Sequence, residues 1–126
     1  MKKFLLLILV PILISCDYDV WHDFYIINTC NQNITVNVTN RLNSSSTFTI
    51  PPQKMALIYH EEDLGYIGDV TTCINSINVY KDSVRIDIDP MDPNLWHCKP
   101  TSRFQPKGAT STFSVKPEHF PNSPLP

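Results

Sequence analysis

Ile34-Thr35-Val36-Asn37-Val38-Thr39 alternates apolar and polar side chains without an error. Successive side chains of an extended backbone point to opposite faces, so this run reads as a strand with one face buried and the other wet. Before it, Phe24-Tyr25-Ile26-Ile27-Asn28 is a β-prone stretch ended by the turn-rich Asn28-Thr29-Cys30-Asn31-Gln32-Asn33. Two such runs joined by an Asn-rich turn are expected to pair as an antiparallel hairpin. After it, Asn40 to Ser46 is polar and loop-like, and Thr47-Phe48-Thr49-Ile50 is a short strand stopped by Pro51-Pro52. Proline lacks the donor that would carry a ladder further. Lys54-Met55-Ala56-Leu57-Ile58-Tyr59-His60 fits helix or strand by periodicity, and its length and the prolines before it favour a buried strand.

Further out the pattern repeats. Glu61 to Thr72, with Gly65 and Gly68, is a loop with room for a single helical turn. Ile74 to Asp89 reads as a second hairpin: Ile77 and Val79 alternate with polar neighbours, Lys81-Asp82 turns, and Val84-Arg85-Ile86-Asp87-Ile88-Asp89 alternates throughout. Asp89-Pro90-Met91-Asp92-Pro93-Asn94 ends that ladder, and Pro100, Pro106 and Gly108 keep the next region irregular. Thr110-Ser111-Thr112-Phe113-Ser114-Val115 is the last strand, and Pro117 to Pro126, with four prolines, reads as a frayed tail. About seven short strands without an amphipathic helix of any length predict an all-β fold, a small antiparallel β-sandwich of immunoglobulin-like type, with a small open barrel as the alternative.

The start of the chain has a different character. Met1-Lys2-Lys3 is cationic, Phe4 to Ile14 is an apolar run of eleven residues, and Leu13-Ile14-Ser15-Cys16 closes it. Eleven residues suit a signal-peptide core and fall short of the roughly 20 that a membrane-crossing helix needs. Leu13-Ile14-Ser15-Cys16 resembles the bacterial lipobox. The resemblance implies cleavage before Cys16, whose thiol then carries diacylglycerol and usually an N-linked acyl chain such as palmitate. Two or three chains hold firmly where one is marginal, since each buried methylene contributes about 0.8 kcal/mol. Asp17-Tyr18-Asp19 follows. Asp beside the lipid cysteine resembles the inner-membrane retention signal of enterobacteria, whereas an acidic cluster there resembles the surface-export signal of Bacteroidota lipoproteins. These implications conflict, and the style of the remaining chain favours the second and hence the outer membrane. The N-terminal Ile-x-Asn turn, the alternating strand, the strand ending at proline, the acidic-ended hairpin, the Trp after it and the closing strand look like the small all-β lipoproteins of Bacteroidota. The expected organisation is a signal peptide over 1–15, a lipidated tether over 16–23, a sandwich over 24–116 and a Pro-rich tail over 117–126.

From Cys16 onward the chain has 111 residues, enough for one domain with a modest core. With Lys2 and Lys3 removed, eight basic residues face twelve acidic ones, a net charge of −4. No basic run is available to neutralise phosphates, which argues against nucleic acid as a partner. Once Cys16 is lipidated, Cys30, Cys73 and Cys98 remain, enough for at most one internal disulfide. Cys73 with Cys98 is the favoured pair because the two flank the second hairpin.

The side chains that carry chemistry are few. Asp87, Asp89 and Asp92 are the densest carboxylates and a weak Ca²⁺ candidate, but Ile88, Pro90 and Pro93 depart from calcium-loop spacing and the sharp-turn glycine is missing. Asp87 and Asp89, two apart on one strand face with Arg85, suit mutual repulsion more than an acid–base pair across a substrate. His22, His60, His97 and His119 are scattered, and the adjacent His97-Cys98 cannot work as a nucleophile pair on a regular backbone. Trp96 reads as a core plug. Tyr18, Trp21 and Tyr25 invite sugar stacking, although Tyr25 on the sheet and Tyr18 and Trp21 at lipid headgroups are the simpler reading. Asn33-Ile34-Thr35 and Asn37-Val38-Thr39 match a glycosylation sequon as strand composition does, while Asp82-Ser83-Val84 resembles the O-glycosylation motif of Bacteroidota, with Ser83 at a hairpin turn.

The sequence therefore predicts a non-enzymatic, lipid-anchored envelope module without a cofactor or metal, binding or scaffolding another envelope component, protein before glycan. The alternatives are a periplasmic immunity or inhibitor lipoprotein suited to a basic target, and a calcium- or glycan-binding module.

Overall fold

The computed structural model describes residues 20–102, 104 and 106–121, so the leader, Cys16, the tether before Val20 and residues 122–126 lie outside the described residues. Eight strands follow in order: β1 Val20–Asn28, β2 Ile34–Asn40, β3 Ser45–Ile50, β4 Met55–Leu64, β5 Ile74–Lys81, β6 Val84–Arg85, β7 His97–Pro100 and β8 Gly108–Val115. A single helical turn, α1 (Val70–Cys73), precedes β5, and two 3₁₀ turns cover Pro93–Leu95 and Pro117–His119. The strands form two four-stranded sheets, one in the order β4-β1-β8-β7 and the other β3-β2-β5-β6. This is the small all-β sandwich that the alternation predicts. Sandwiches of immunoglobulin-like architecture do not always share its strand order, and here the first strand lies between β4 and β8. Its ladder with β4 is antiparallel and its ladder with β8 is parallel.

Alternation builds the core. Along β1 the residues Val20, His22, Phe24, Ile26 and Asn28 are buried and their neighbours half-buried. Ile34, Val36 and Val38 of β2, Ile77 and Val79 of β5, and Phe113 and Val115 of β8 meet them inside. Trp96 plugs this core as expected: its ring meets Phe24 edge-on at 5.7 Å and Phe113 at 5.5 Å, and its indole N–H donates to the Pro90 carbonyl at 2.7 Å. Burying a Phe or Ile side chain contributes about 1.5–3 kcal/mol.

Several expectations are corrected. β1 and β2 are not a hairpin, because they lie in different sheets. The turn between them is a crossing, held by Asn28: its side chain donates to the Gln32 and Ile50 carbonyls at 2.8 and 2.9 Å and accepts from the Cys30 N–H at 2.8 Å. β1 begins at Val20 instead of Phe24, since β8 supplies partners for Trp21 and His22 at Gly108 and Ala109. Residues 20–23 thus belong to the domain and not to the tether. β6 stops at Arg85, because the Asp87 N–H leaves the hairpin and donates to the His119 carbonyl at 2.7 Å. The same contact docks the start of the predicted tail, whose Phe120 is buried beneath the Lys81 ammonium. β7 lies where the prolines predict irregular chain.

The expected Cys73–Cys98 disulfide is absent, and Cys30, Cys73 and Cys98 are all free. Cys73 ends α1 with its side chain in the core, while the segment after β6 crosses to the other sheet and leaves Cys98 exposed on edge strand β7. Burial pushes the Cys73 thiol up to about 11, and nearby Glu61 adds to the rise.

Candidate functional site: the outward face of the β4-β1-β8-β7 sheet

Because Val20, His22, Phe24 and Ile26 point inward, Trp21, Asp23, Tyr25 and Ile27 point outward. Cross-strand neighbours share a face. Tyr25 pairs with Leu57 and Ile27 with Met55 on β4, and the same two residues pair with Thr112 and Ser114 on β8. Met55 is 59% exposed and Leu57 41%. Four apolar side chains on two adjacent strands thus form a contiguous outward patch.

One end of the patch is charged. His60 Nδ1 bonds Asp23 Oδ1, and His60 Nε2 bonds Glu62 Oε1 at 2.9 Å. The bond to Asp23, seconded by the bond to Glu62, raises the His60 pKa above its ordinary value. Both ring nitrogens are therefore held by carboxylates, which makes His60 a charge bridge and leaves it no free lone pair for base catalysis. Nearby, Trp21 lies across Gly108, where an added Cβ would stand 2.2 Å from the indole. Trp21 is thus spent on its own sheet, and Tyr18 of the proposed aromatic set lies outside the described residues.

On the other side, β7 pairs with β8 only as far as Thr112, opposite His97, so β8 runs on past its neighbour. The space left is a notch of about 330 Å³ lined by Asn94, Leu95, His97, Thr112, Phe113, Ser114, Lys116 and His119. His119 Nδ1 accepts the Lys116 N–H at 3.1 Å, so in the neutral ring the proton sits on Nε2 as a donor. Burial lowers the His119 pKa and favours that neutral form. The lining holds hydroxyls, an amide, imidazoles and an ammonium and no carboxylate, so it suits a carbonyl or carboxylate of a docked molecule.

The other candidates are dispersed. Asp89 Oδ1 accepts from Met91 N–H at 2.9 Å and Asp92 Oδ1 from Asn94 N–H at 3.0 Å. These carboxylates tie turns, and with Asp87 they build no cage: among the described residues no group of three or more His, Cys, Asp or Glu side chains could hold a metal ion. His97 and Cys98 pair with Thr112 and Ser111 and so face opposite ways. Ser83 is exposed at the β5–β6 turn, as an acceptor for modification requires. Asn37 is engaged by the Thr47 hydroxyl at 2.9 Å.

One pair escapes the sequence reading. His22 Nε2 bonds the Ser111 hydroxyl at 2.7 Å inside the sandwich, and His22 Nδ1 has no partner. Desolvation lowers the His22 pKa despite Asp23 and Asp69 nearby. His22 is 0% exposed and Ser111 2%, so solvent and substrate reach neither. The signal was present in the sequence, since His22 keeps the two-residue phase of Phe24 and Ile26.

No helix among the described residues is long and apolar enough to cross a membrane. Compared with known proteins, the chain matches no family model, no curated protein and no solved structure.

Proposed function

We propose that this chain is a lipid-tethered module of the bacterial cell envelope, more in keeping with the outer than the inner membrane, that binds a protein component without catalysing a reaction. The address rests on Leu13-Ile14-Ser15-Cys16 after an apolar run of signal-peptide length. The observation that carries the binding reading is the outward patch of Tyr25, Ile27, Met55 and Leu57, bordered by a charge bridge and a donor-lined notch. Contiguous exposed apolar surface rimmed by polar groups marks an interaction site. A protein partner suits it better than a sugar, because the aromatic best placed to stack on a ring, Trp21, is already laid over Gly108.

The address and the partner are tested together. Cells expressing wild type or Cys16→Ala are fractionated after lipid labelling, with a photo-crosslinking residue at position 57 and, as control, at position 82. Label and membrane retention lost in Cys16→Ala, with a discrete crosslinked band from position 57 alone, is the expected result. Retention without label would sink the tether, and equal crosslinking from both positions would sink the patch.

A further inference from the structure

Four strands end the two sheets, and three of them carry a feature that discourages pairing with another chain. β4 has shifted register at two places in its ladder with β1 and bears His60, Glu61 and Glu62. β7 is four residues long and bears Lys99 and Pro100. β6 has two residues. Bulges, charges, proline and shortness are the means by which natural sheets blunt an edge. β3 has none of these: Ser45-Ser46-Thr47-Phe48-Thr49-Ile50 is uncharged, free of proline and glycine, and in unshifted register with β2 from Ile34↔Ile50 to Thr39↔Ser45.

The direction of its free backbone groups follows from the turn. Asn40 N–H donates to the Ser44 carbonyl at 3.0 Å. Antiparallel ladders alternate between pairs that exchange hydrogen bonds and pairs that do not. Counting back along the register, Ser46, Phe48 and Ile50 bond β2, so Ser45, Thr47 and Thr49 turn their N–H and C=O groups outward.

We infer that the β3 edge pairs with the β3 edge of a second copy of this chain, antiparallel and centred on Thr47. In that register Thr47 faces Thr47 and Ser45 faces Thr49 of the other copy, so every outward group of the three residues finds a complement. The two sheets become one of eight strands. The exposed Ser45, Thr47 and Thr49 side chains line one side, where Ser45 and Thr49 of opposite copies bond across strands while each Thr47 hydroxyl keeps its bond to Asn37. On the other side the half-buried Phe48 gains cover from Ser46 of the second copy. An uncharged strand singles out a second copy as the occupant. The chain as a whole is acidic, yet no like charges meet along this edge, and a partner of opposite charge would find nothing on it to read. The inference does not depend on the patch carrying a protein partner, which lies on the other sheet.

The test uses the full chain, extracted from membranes in mild detergent, in a Cys98→Ser background so that the exposed native thiol does not react. Thr47→Cys, Lys99→Cys and Asp82→Cys are compared with a short bis-maleimide, and the mass of wild type and Thr47→Lys is measured by light scattering. Fast dimer crosslinking from position 47 alone is expected, with Thr47→Lys weakening association by about tenfold or more because two ammoniums then face each other. Thr47→Lys lies on an exposed position and should keep the wild-type melting temperature at dilutions where both chains are monomeric. A wild type monomeric at every concentration, crosslinking equally well from positions 99 or 82, or a dimer indifferent to Thr47→Lys would each overturn the inference. None of these outcomes alters what position 57 captures.

Discussion

At the scale of single residues, two buried polar side chains are held very differently. Asn28 is fully buried with its amide satisfied by Cys30, Gln32 and Ile50. Removing it leaves the buried Cys30 N–H without its acceptor, at about 1–3 kcal/mol for a buried unpaired group, and takes a donor from the Ile50 and Gln32 carbonyls, which the β2 ladder and solvent still serve. Asn28→Ala is therefore expected to destabilise the fold by about 1–3 kcal/mol, read as a lower urea midpoint at unchanged slope. His22 is less well held, with one ring nitrogen unpaired. Its folded pKa lies below the ordinary value, so the unfolded chain takes up a proton first as the pH falls. Stability is unaffected by His22 above about pH 6.5 and declines as the pH drops below it. His60 acts in the opposite sense: its raised folded pKa makes its stabilisation complete below about pH 6.5 and lost as the pH climbs through the folded value. Melting temperature followed from about pH 5 to 8 should therefore steepen its decline toward high pH in His22→Gln and lose that decline in His60→Gln. Parallel curves for both variants would refute the assignment.

At the scale of elements, the β5–β6 turn shows a local conflict that the chain tolerates. Asp82 and Ser83 have φ of 50° and 65°, the left-handed pair of a type I′ turn, without a glycine to ease it. Asp82→Asn with Ser83→Gly should raise stability by about 1 kcal/mol in a denaturant titration. Gly108 is the converse case, a glycine required by space. Gly108→Ala must displace the Trp21 indole, at a cost of about 1–3 kcal/mol and with a red shift of tryptophan emission. These elements also show what the sequence made legible. Ile34 to Asn40 announces itself because a two-residue period needs no partner to be read. β7 does not, because His97-Cys98-Lys99-Pro100 is exposed along its whole length and carries no apolar phase. The β1–β2 crossing was misread because an Asn-rich turn looks the same whether it joins two strands of one sheet or passes between sheets; the difference lies in where the Asn28 amide is buried. The outward patch was hidden for a related reason. Met55 and Leu57 look like core residues in a list of apolar side chains, and only the register with Ile27 and Tyr25 puts them outside.

At the scale of the whole molecule, the two sheets divide the surface into parts of different character. One sheet offers an apolar face bordered by polar groups, and the other ends in an unguarded edge, so a dimer through β3 would leave both copies' faces open to a partner. Leu57→Lys should accordingly abolish capture at the face while leaving the mass in detergent unchanged. The first and last strands lie side by side and parallel, joined at eight register positions from Trp21↔Gly108 to Asn28↔Val115. A load applied between an anchored N-terminus and the C-terminus would pull those two strands along their length in opposite senses. All the rungs between them would resist together, in shear, instead of opening one after another like a zip. For a chain held at one end and gripped at the other, this strand order sets the two terminal strands to meet the pull in shear.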